Sequence, residues 1–190
     1  MWPAMTFDLT GSLLISTPAM GDPRFSRSVI YLCAHGPDGA FGLVLNRPLP
    51  RLKLAQVLAQ LGLGPVPALA DAPVLSGGPV EMQRGFVLHS APALGAEGQD
   101  LPDGLVLSAS MEVLRALARG EGPEHWLLAL GYAGWGPGQL EGEIAQNAWL
   151  TCAASRSLIF DPSPGEHQWN AALRSMGIDP LSLSAVAGRA

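Results

Sequence analysis

Residues 28–48 read SVIYLCAHGPDGAFGLVLNRP, and this stretch decides the fold class. The β-branched and aromatic side chains of residues 28–34 predict a strand. Residues 36–39 (GPDG) have strong turn chemistry, and residues 40–45 predict a second strand that ends at residues 46–48 (NRP). The stretch therefore predicts a β-hairpin at the start of an antiparallel sheet.

Outside this hairpin, strands and helices are predicted to follow one another without a regular order. Strands are predicted at residues 12–16, 74–75, 85–89, 105–107 and 126–132, whereas residues 149–153 and 158–160 are apolar segments to which no element is assigned. Helices are predicted at residues 52–61, at 110–118 with Ser110 as the cap, from residue 139, at 165–176 and from residue 179, with loops at 62–73 and 91–104. Because no regular βαβ rhythm appears, the fold class is predicted to be α+β.

Composition favours one compact domain spanning residues 1–190. Hydrophobic residues make up 48% of the chain and charged residues only 14%, the reverse of a disordered sequence. The 23 glycines and 17 prolines indicate many turns between short elements. The sequence thus has enough apolar material for a sizeable core.

The charge of the chain argues against a nucleic-acid partner. The formal net charge is -5, and the 11 Lys and Arg residues are scattered rather than clustered. Direct DNA binding is therefore not expected, because it depends on cations that neutralise phosphates. We also expect no signal peptide, no membrane partner and a cytoplasmic location with free thiols at Cys33 and Cys152. The sequence leaves open whether translation starts at Met1 or Met5.

Three sequence blocks resemble the YqgE/AlgH family over roughly residues 9–188. The first block contains Asp22-Pro23, Phe25, residues 27–31 (RSVIY) and residues 42–48 (GLVLNRP). The second contains residues 77–80 (GGPV) and 84–90 (RGFVLHS). The third contains residues 130–135 (LGYAGW), 138–141 (GQLE), 143–144 (EI), Asn147 and residues 149–150 (WL). The three blocks occur in the family's order.

This resemblance implies an α+β fold with a strongly curved, partly barrel-like β-sheet flanked by helices. It also implies a bacterial cytoplasmic protein of a family whose members are labelled transcriptional regulators and have no agreed catalytic residue. The chain departs from the family at its end, where Gly188-Arg189-Ala190 stands in place of a Gly-His-Ala ending. No role of that family histidine can be carried over.

Cys33 and His35 form the first candidate site. Their spacing of two predicts that both side chains lie on one face of the strand, where His35 could lower the pKa of the Cys33 thiol. The alternative is that Cys33 is a buried apolar side chain. No metal or cofactor is predicted, because Cys33, His35 and His89 lack paired metal-ligand spacing.

The second candidate is an anion or nucleotide site. Backbone N–H groups of a Ser-Gly-Gly turn could form an anion nest, and arginines in or beside the family blocks could bind carboxylate or phosphate. The residues in this set are Arg27, Asn46, Arg47, Ser76, Gly77, Gly78, Arg84 and His89. Alternatively, the glycines permit a tight turn and the arginines pair with Asp22 or Glu81.

The third candidate is a partner-binding groove beside the helix that follows Trp135. Gln139, Glu143 and Asn147 are spaced by four and should line one helix face, with Tyr132 and Trp135 just before it. An aromatic rim beside a polar row is typical of a binding groove. Alternatively, this helix face is exposed to solvent and binds nothing, and the aromatic side chains pack beneath it.

These patterns favour a regulatory or adaptor protein, without enzymatic activity, that binds a protein partner or a small ligand in a cleft. The second hypothesis is an enzyme or binding protein for an anionic or nucleotide ligand held by arginine and histidine. No Gly-x-Ser-x-Gly motif is present, and Glu141 and Glu143 point in different directions on a helix. Direct DNA binding is the least favoured, since no helix-turn-helix is recognisable.

Overall fold

The computed structural model describes residues 7–92 and 98–187. Its strands are β1 (Ser12–Ser16), β2 (Val29–Gly36), β3 (Gly39–Val44), β4 (Pro48–Lys53), β5 (Pro73–Ser76), β6 (Val80–Ser90), β7 (Gly98–Leu101), β8 (Leu105–Ser108), β9 (Trp126–Trp135) and β10 (Trp149–Ala153). Its helices are α1 (Leu54–Gln60), α2 (Glu112–Ala118), α3 (Gln139–Ala145), α4 (Arg156–Ile159), α5 (Glu166–Ser175) and α6 (Pro180–Ala187). None of these described helices has the length and apolar character to cross a bilayer.

Most of the strands form one strongly curled sheet, a half-barrel. The strand order is β10-β1-β2-β3-β9-β6-β8-β7, and every neighbour in this path is antiparallel. Strand β5 lies off the path and pairs in parallel with β9 and antiparallel with β4. The helices flank this sheet, so the predicted α+β class with a curved, partly barrel-like sheet is confirmed.

Strand β9 is the central element because three other strands pair with it. Its first half pairs with β5 and β6, and residues 133–135 pair with β3. Between these two halves, Gly131 has a φ of 78°, a left-handed value that glycine adopts without strain. A single apolar strand can therefore bridge the two parts of the curled sheet.

Alternating side chains divide the core between the two faces of the sheet. The inner face of the half-barrel buries Leu13, Tyr31, Leu43 and Leu88. Helix α5 packs against this face through Trp169, whose indole N–H donates to the carbonyl oxygen of Ser16 at 2.8 Å. On the outer faces, α3 covers the cluster that contains Trp149, and α1 and α2 cover a third cluster.

Gly77 and Gly78 press directly against β9. A Cβ atom on Gly77 would lie 2.3 Å from the carbonyl oxygen of Gly131, and one on Gly78 would lie 2.1 Å from the carbonyl carbon of Tyr132. The Gly77 N–H donates to the carbonyl oxygen of Leu130 at 2.8 Å, and its own carbonyl accepts from Val44 at 2.8 Å. We name this the glycine contact. The glycine contact joins β3 to β9, so the role of these two glycines is to let the backbones pack closely.

Most predicted elements are present, and the differences have local causes. Strands β4, β7 and β10 occupy segments in which no strand was predicted. Strand β4 (PLPRLK) contains two prolines, which strands tolerate at a sheet edge, and β7 (GQDL) is polar. The prediction that Ser110 caps α2 is wrong, because Met111 is the cap and the buried Ser110 hydroxyl has no hydrogen-bond partner among the described residues.

The glycine contact predicts a large effect of Gly78→Ala. The substitution should lower the free energy of unfolding in urea by about 2–5 kcal/mol, because the new Cβ overlaps β9 and the φ of 153° is strained for alanine. Gly142→Ala is the matched control, since Gly142 lies in α3 and a Cβ atom there would meet no other atom within 4 Å. That control should raise stability by about 0.5–1 kcal/mol. Equal effects would contradict this role of the contact.

Candidate functional site

Two adjoining hollows form one groove between residues 20–25, the 76–82 segment and the end of β9. Each hollow has a volume of about 220 Å³, and both are lined by Arg24, Phe25 and Pro79. The first is also lined by Val44, Arg47, Ser76, Gly78 and Met82. The second is also lined by Met20, Asp22, Val80, Gly134, Trp135, Gln139 and Glu143. We name the combined feature the Trp135 groove.

A single carboxylate fixes the floor of the Trp135 groove. Oε2 of Glu143 accepts hydrogen bonds from the indole N–H groups of Trp135 at 2.9 Å and Trp149 at 2.8 Å. Oε1 of Glu143 accepts from the Gln139 amide at 3.1 Å. Because both indoles are at most 7% exposed, these hydrogen bonds hold the two rings in place without competition from bulk water.

The aromatic rings continue this floor beneath residues 20–25. Trp135 and Trp149 pack edge to face with ring centroids 6.0 Å apart. Phe25 packs on Trp149 in the same manner at 5.7 Å. Edge-to-face pairs of this kind stabilise a rigid apolar surface. The floor of the groove is therefore preorganised for an apolar side chain.

Two arginines give one edge of the Trp135 groove a positive character. Arg47 donates to the carbonyl oxygen of Ser26 at 2.5 Å and to the hydroxyl of Ser28 at 3.2 Å, which orients its guanidinium. Arg24 pairs with Asp22 at 2.7 Å, and hydrogen bonds from the guanidinium lower the pKa of the Asp22 carboxyl. The rim also carries Met82, which is 66% exposed.

The structure brings together only part of the predicted groove set. Trp135, Gln139 and Glu143 meet in the Trp135 groove, whereas Tyr132 packs with Phe41 and Phe86 on the inner face of the sheet. Residues three apart on a strand point to opposite faces, which explains this separation. The prediction that Asn147 shares the helix face is wrong as well, because α3 ends at Ala145 and Asn147 takes a left-handed φ of 60° beyond it.

The predicted anion set is divided among several places. Arg47, Ser76 and Gly78 line the Trp135 groove. In contrast, Arg27 pairs with Glu166 and stacks on Trp169, with 5.4 Å between the guanidinium carbon and the ring centroid. Arg84 pairs with Glu81 at 3.3 Å and stacks on Phe86 at 5.0 Å, at a separate hollow lined by Tyr132. The set as a whole therefore does not converge.

The remaining members of this set have structural partners. Asn46 accepts from the N–H of Val29 at 3.0 Å and donates to the carbonyl oxygen of Arg27 at 2.8 Å. His89 is fully buried, and its Nδ1 lies 2.9 Å from the Ser90 carbonyl oxygen. That oxygen only accepts, so Nδ1 donates to it, and Nε2 lies 2.9 Å from the Ser108 hydroxyl.

Two of the three N–H groups in the predicted anion nest already donate to backbone carbonyls. The Ser76 N–H donates to the carbonyl oxygen of Arg47 at 2.8 Å, and the Gly77 N–H is used by the glycine contact. Both donors are therefore occupied by backbone acceptors. The alternative interpretation, in which the glycines permit a tight backbone path, agrees with this geometry.

Cys33 and His35 do not lie together, because a β-bulge separates them. The register of β2 against β3 shifts between Leu32 and Ala34, which adds Cys33 as an extra residue and reverses the faces beyond it. Cys33 is fully buried in the inner core, and this burial raises the pKa of its thiol. The prediction of a reactive thiol at Cys33 is therefore corrected to a buried apolar side chain.

His35 instead joins the outer face of the sheet to α3. Its Nδ1 accepts from the Leu9 N–H at 3.0 Å, so Nε2 carries the proton and donates to the Glu141 carboxylate at 2.6 Å. A backbone hydrogen bond and this contact with His35 lower the pKa of Glu141. Among the described residues, no three or more His, Cys, Asp or Glu side chains are grouped to hold a metal ion.

Sequence reasoning missed several residues of the Trp135 groove, among them Arg24, Pro79 and Met82. Asp22-Pro23 belongs to the first block of the family resemblance, yet nothing in the spacing indicates that the segment around it lies beside the end of β9. This segment contains a short 3₁₀ helix, Pro23–Phe25, which Asp22 caps by accepting from the Arg24 N–H at 3.0 Å. Its cap places Arg24 and Phe25 side by side.

The Glu143 network predicts graded effects of substitution. Glu143→Ala should lower the free energy of unfolding by about 2–3 kcal/mol, because it leaves two buried indole N–H groups without an acceptor. Glu143→Gln should cost about 1 kcal/mol, since one acceptor oxygen remains. Urea unfolding monitored by tryptophan fluorescence measures both. Losses below about 0.5 kcal/mol for both variants would show that the carboxylate does not hold the floor.

Solved structures with the same fold have been determined for two bacterial proteins. The chain is 42% identical to the AlgH protein of Pseudomonas aeruginosa, whose solution structure aligns with a TM-score of 0.79 over 97% of each chain. A crystal structure of a Corynebacterium diphtheriae protein, 24% identical, aligns with a TM-score of 0.70 over 94% of this chain and 91% of the other. The second likeness concerns the fold alone.

The similarity to related sequences covers nearly the whole chain. A UPF0301 protein of Cereibacter sphaeroides is 51% identical over 185 residues, which is 96% of this chain and 100% of the relative. A UPF0301 protein of Ruegeria pomeroyi is 52% identical over the same shares of the two chains. The family described as AlgH-like, DUF179, matches residues 13–181. The protein therefore belongs to the AlgH-like family.

Proposed function

We propose that the protein is a cytoplasmic adaptor or regulatory protein that holds a short segment of a partner protein in the Trp135 groove. The observation that carries this proposal is the Glu143 carboxylate, which fixes Trp135 in the floor of the groove and the buried Trp149 that packs against it. A preformed aromatic floor lowers the entropic cost of binding. The expected segment presents an apolar side chain to this floor.

The charge of the groove further specifies the chemistry of the expected partner segment. Arg24 and Arg47 line the same hollow, and because Arg24 is already paired with Asp22, an acidic side chain beside the apolar one would meet chiefly the guanidinium of Arg47. The exposed Met82 at the rim supports adaptable apolar contact, since methionine adjusts its shape to different partners. We therefore propose a segment that combines an apolar anchor with a neighbouring carboxylate.

The chemistry of the groove favours binding over catalysis. Among the described residues that line it there is no His, Cys or Lys, and Ser76 has no base beside it there. The alternative, a small anionic ligand, would use Arg24 and Arg47 alone and leave the aromatic floor uncovered. The partner-protein proposal accounts for both the floor and the charged edge.

Photocrosslinking from the rim tests this proposal. With p-benzoylphenylalanine in place of Met82, irradiation of the source bacterium should give one discrete protein adduct, identified by mass spectrometry. Adding Arg24→Glu and Arg47→Glu should reduce that adduct roughly tenfold, because charge reversal repels an acidic segment. Thermal unfolding of each variant should confirm that the fold is retained.

The matched control places the same photoreactive residue at Met111, which is 45% exposed and lines neither hollow. No shared adduct is expected from this position. The same adducts from both positions, or no adduct from position 82, would contradict the proposal. A small anionic ligand as the natural occupant would give the second of these results.

A further inference from the structure

A larger cavity, of about 340 Å³, lies at the opposite end of β9 from the Trp135 groove. Its floor is formed by the buried side chains of Leu45, Leu75, Leu127 and Ile159. The walls carry the rings of His125, Trp126 and Phe160, together with Pro73, Pro162 and Pro164. We name this feature the Trp126 cavity. Its volume lies within the range of roughly 300–1,000 Å³ that small-molecule sites occupy.

The mouth of the Trp126 cavity is acidic. Asp71, Glu124 and Asp161 line it, and none of the described lining residues is Lys or Arg. Asp71 and Glu124 are exposed, and among the described residues neither takes part in an ion pair. Asp161 accepts from the Ser163 N–H at 2.8 Å and contacts Nε2 of His167 at 2.7 Å. Carboxylates around an apolar cleft concentrate cations there.

His125 adds an unsatisfied polar group to this cavity. Its Nδ1 is buried and has no hydrogen-bond partner among the described residues. Two backbone contacts with Ser90 fix its position: the His125 N–H donates to the Ser90 hydroxyl at 3.1 Å, and its carbonyl accepts from the Ser90 N–H at 2.9 Å. Its ring packs on Phe160 with centroids 5.6 Å apart. A buried nitrogen of this kind calls for a partner.

We propose that the Trp126 cavity binds a small organic cation, a protonated amine with an apolar or aromatic body. The ammonium would lie at the mouth beside the exposed carboxylates of Asp71 and Glu124, near the ring of His125, while the body fills the apolar floor. The faces of Trp126 and Phe160 favour such a cation through their π-electrons. Three carboxylates oppose an anionic ligand in the same place.

A bare metal ion is a poorer occupant than an organic cation. Within the described parts of the chain, no three or more carboxylate, histidine or cysteine side chains lie close enough together to hold a metal. The acidic groups surround a cleft with aromatic and aliphatic walls, and a hydrated ion would gain nothing from those walls. The ligand class that uses every lining feature is an amine with an apolar body.

The site is independent of the proposed partner groove. Trp126 and Trp135 stand at the two ends of β9, which places them about 30 Å apart along the strand at its usual rise per residue. The two features share no lining residue. Failure of the partner proposal would therefore leave this inference unaffected.

Titration with three matched probes tests the inference. We expect 2-phenylethylamine to bind saturably to the whole protein, with chemical-shift changes in ¹H–¹⁵N spectra confined to residues 71–75, 124–127 and 159–164. The neutral analogue 2-phenylethanol and the anion phenylacetate should bind at least roughly tenfold more weakly, because they lack the charge-assisted hydrogen bonds. The positions of the residues whose chemical shifts change distinguish binding in this cavity from binding in the Trp135 groove.

Variants that neutralise carboxylates test whether amine binding depends on the acidic mouth of the cavity. The double variant Asp71→Asn/Glu124→Gln should weaken amine binding roughly tenfold, and it should fold normally because both side chains are exposed. Glu112→Gln is the matched control, since this exposed carboxylate pairs with Arg115 on α2, and it should leave the affinity unchanged. Equal binding of the neutral probe, shifts elsewhere, or no saturation by the amine would overturn the proposal.

Discussion

The glycine contact is the constraint on which the rest of the structure depends. Residues 76–78 approach β9 so closely that a single methyl group at Gly77 or Gly78 would overlap its backbone. This approach lets Gly77 bond β9 on one side and β3 on the other, through Leu130 and Val44. The close approach of the 76–78 segment to β9 therefore requires two positions without side chains.

Strand β9 connects the glycine contact to both candidate sites, because each end of the strand contributes residues to one of them. At its end, Trp135 enters the network in which one Glu143 carboxylate satisfies three N–H groups of neighbouring side chains. At its start, Trp126 and Leu127 line the acidic cavity. One groove combines an aromatic floor with arginines, and the other cavity combines aromatic walls with carboxylates. The groove balances Arg24 and Arg47 against Asp22 and Glu143, whereas the described lining of the cavity contains carboxylates and no Lys or Arg.

The sequence predicts the local elements well, because short strands and amphipathic helices follow from nearest-neighbour patterns. The bounds of β1 agree with prediction, and the resemblance to the YqgE/AlgH family correctly implies the curled sheet. The predicted strand ended at residue 132, so the sequence did not show that β9 continues to Trp135 and places Tyr132 and Trp135 on opposite faces.

Other features depend on geometry that spacing does not encode. The bulge at Cys33 shifts the register by one residue, which no local pattern indicates, and His35 then faces Glu141 instead of the thiol. The Trp126 cavity combines residues near positions 71, 125 and 160, and each of these segments is ordinary on its own. Only the complete fold brings them together, so sequence reasoning could not find this site.

Native-state hydrogen exchange of the amides of the glycine contact tests this account most directly. The N–H groups of Val44, Ser76 and Gly77 donate to backbone carbonyls at this contact. If the curled sheet depends on it, these amides should exchange only through global unfolding, with the free energy and urea dependence of the whole protein. Exchange by a local opening that is insensitive to urea, while the amides of β9 stay protected, would contradict the central role of the contact.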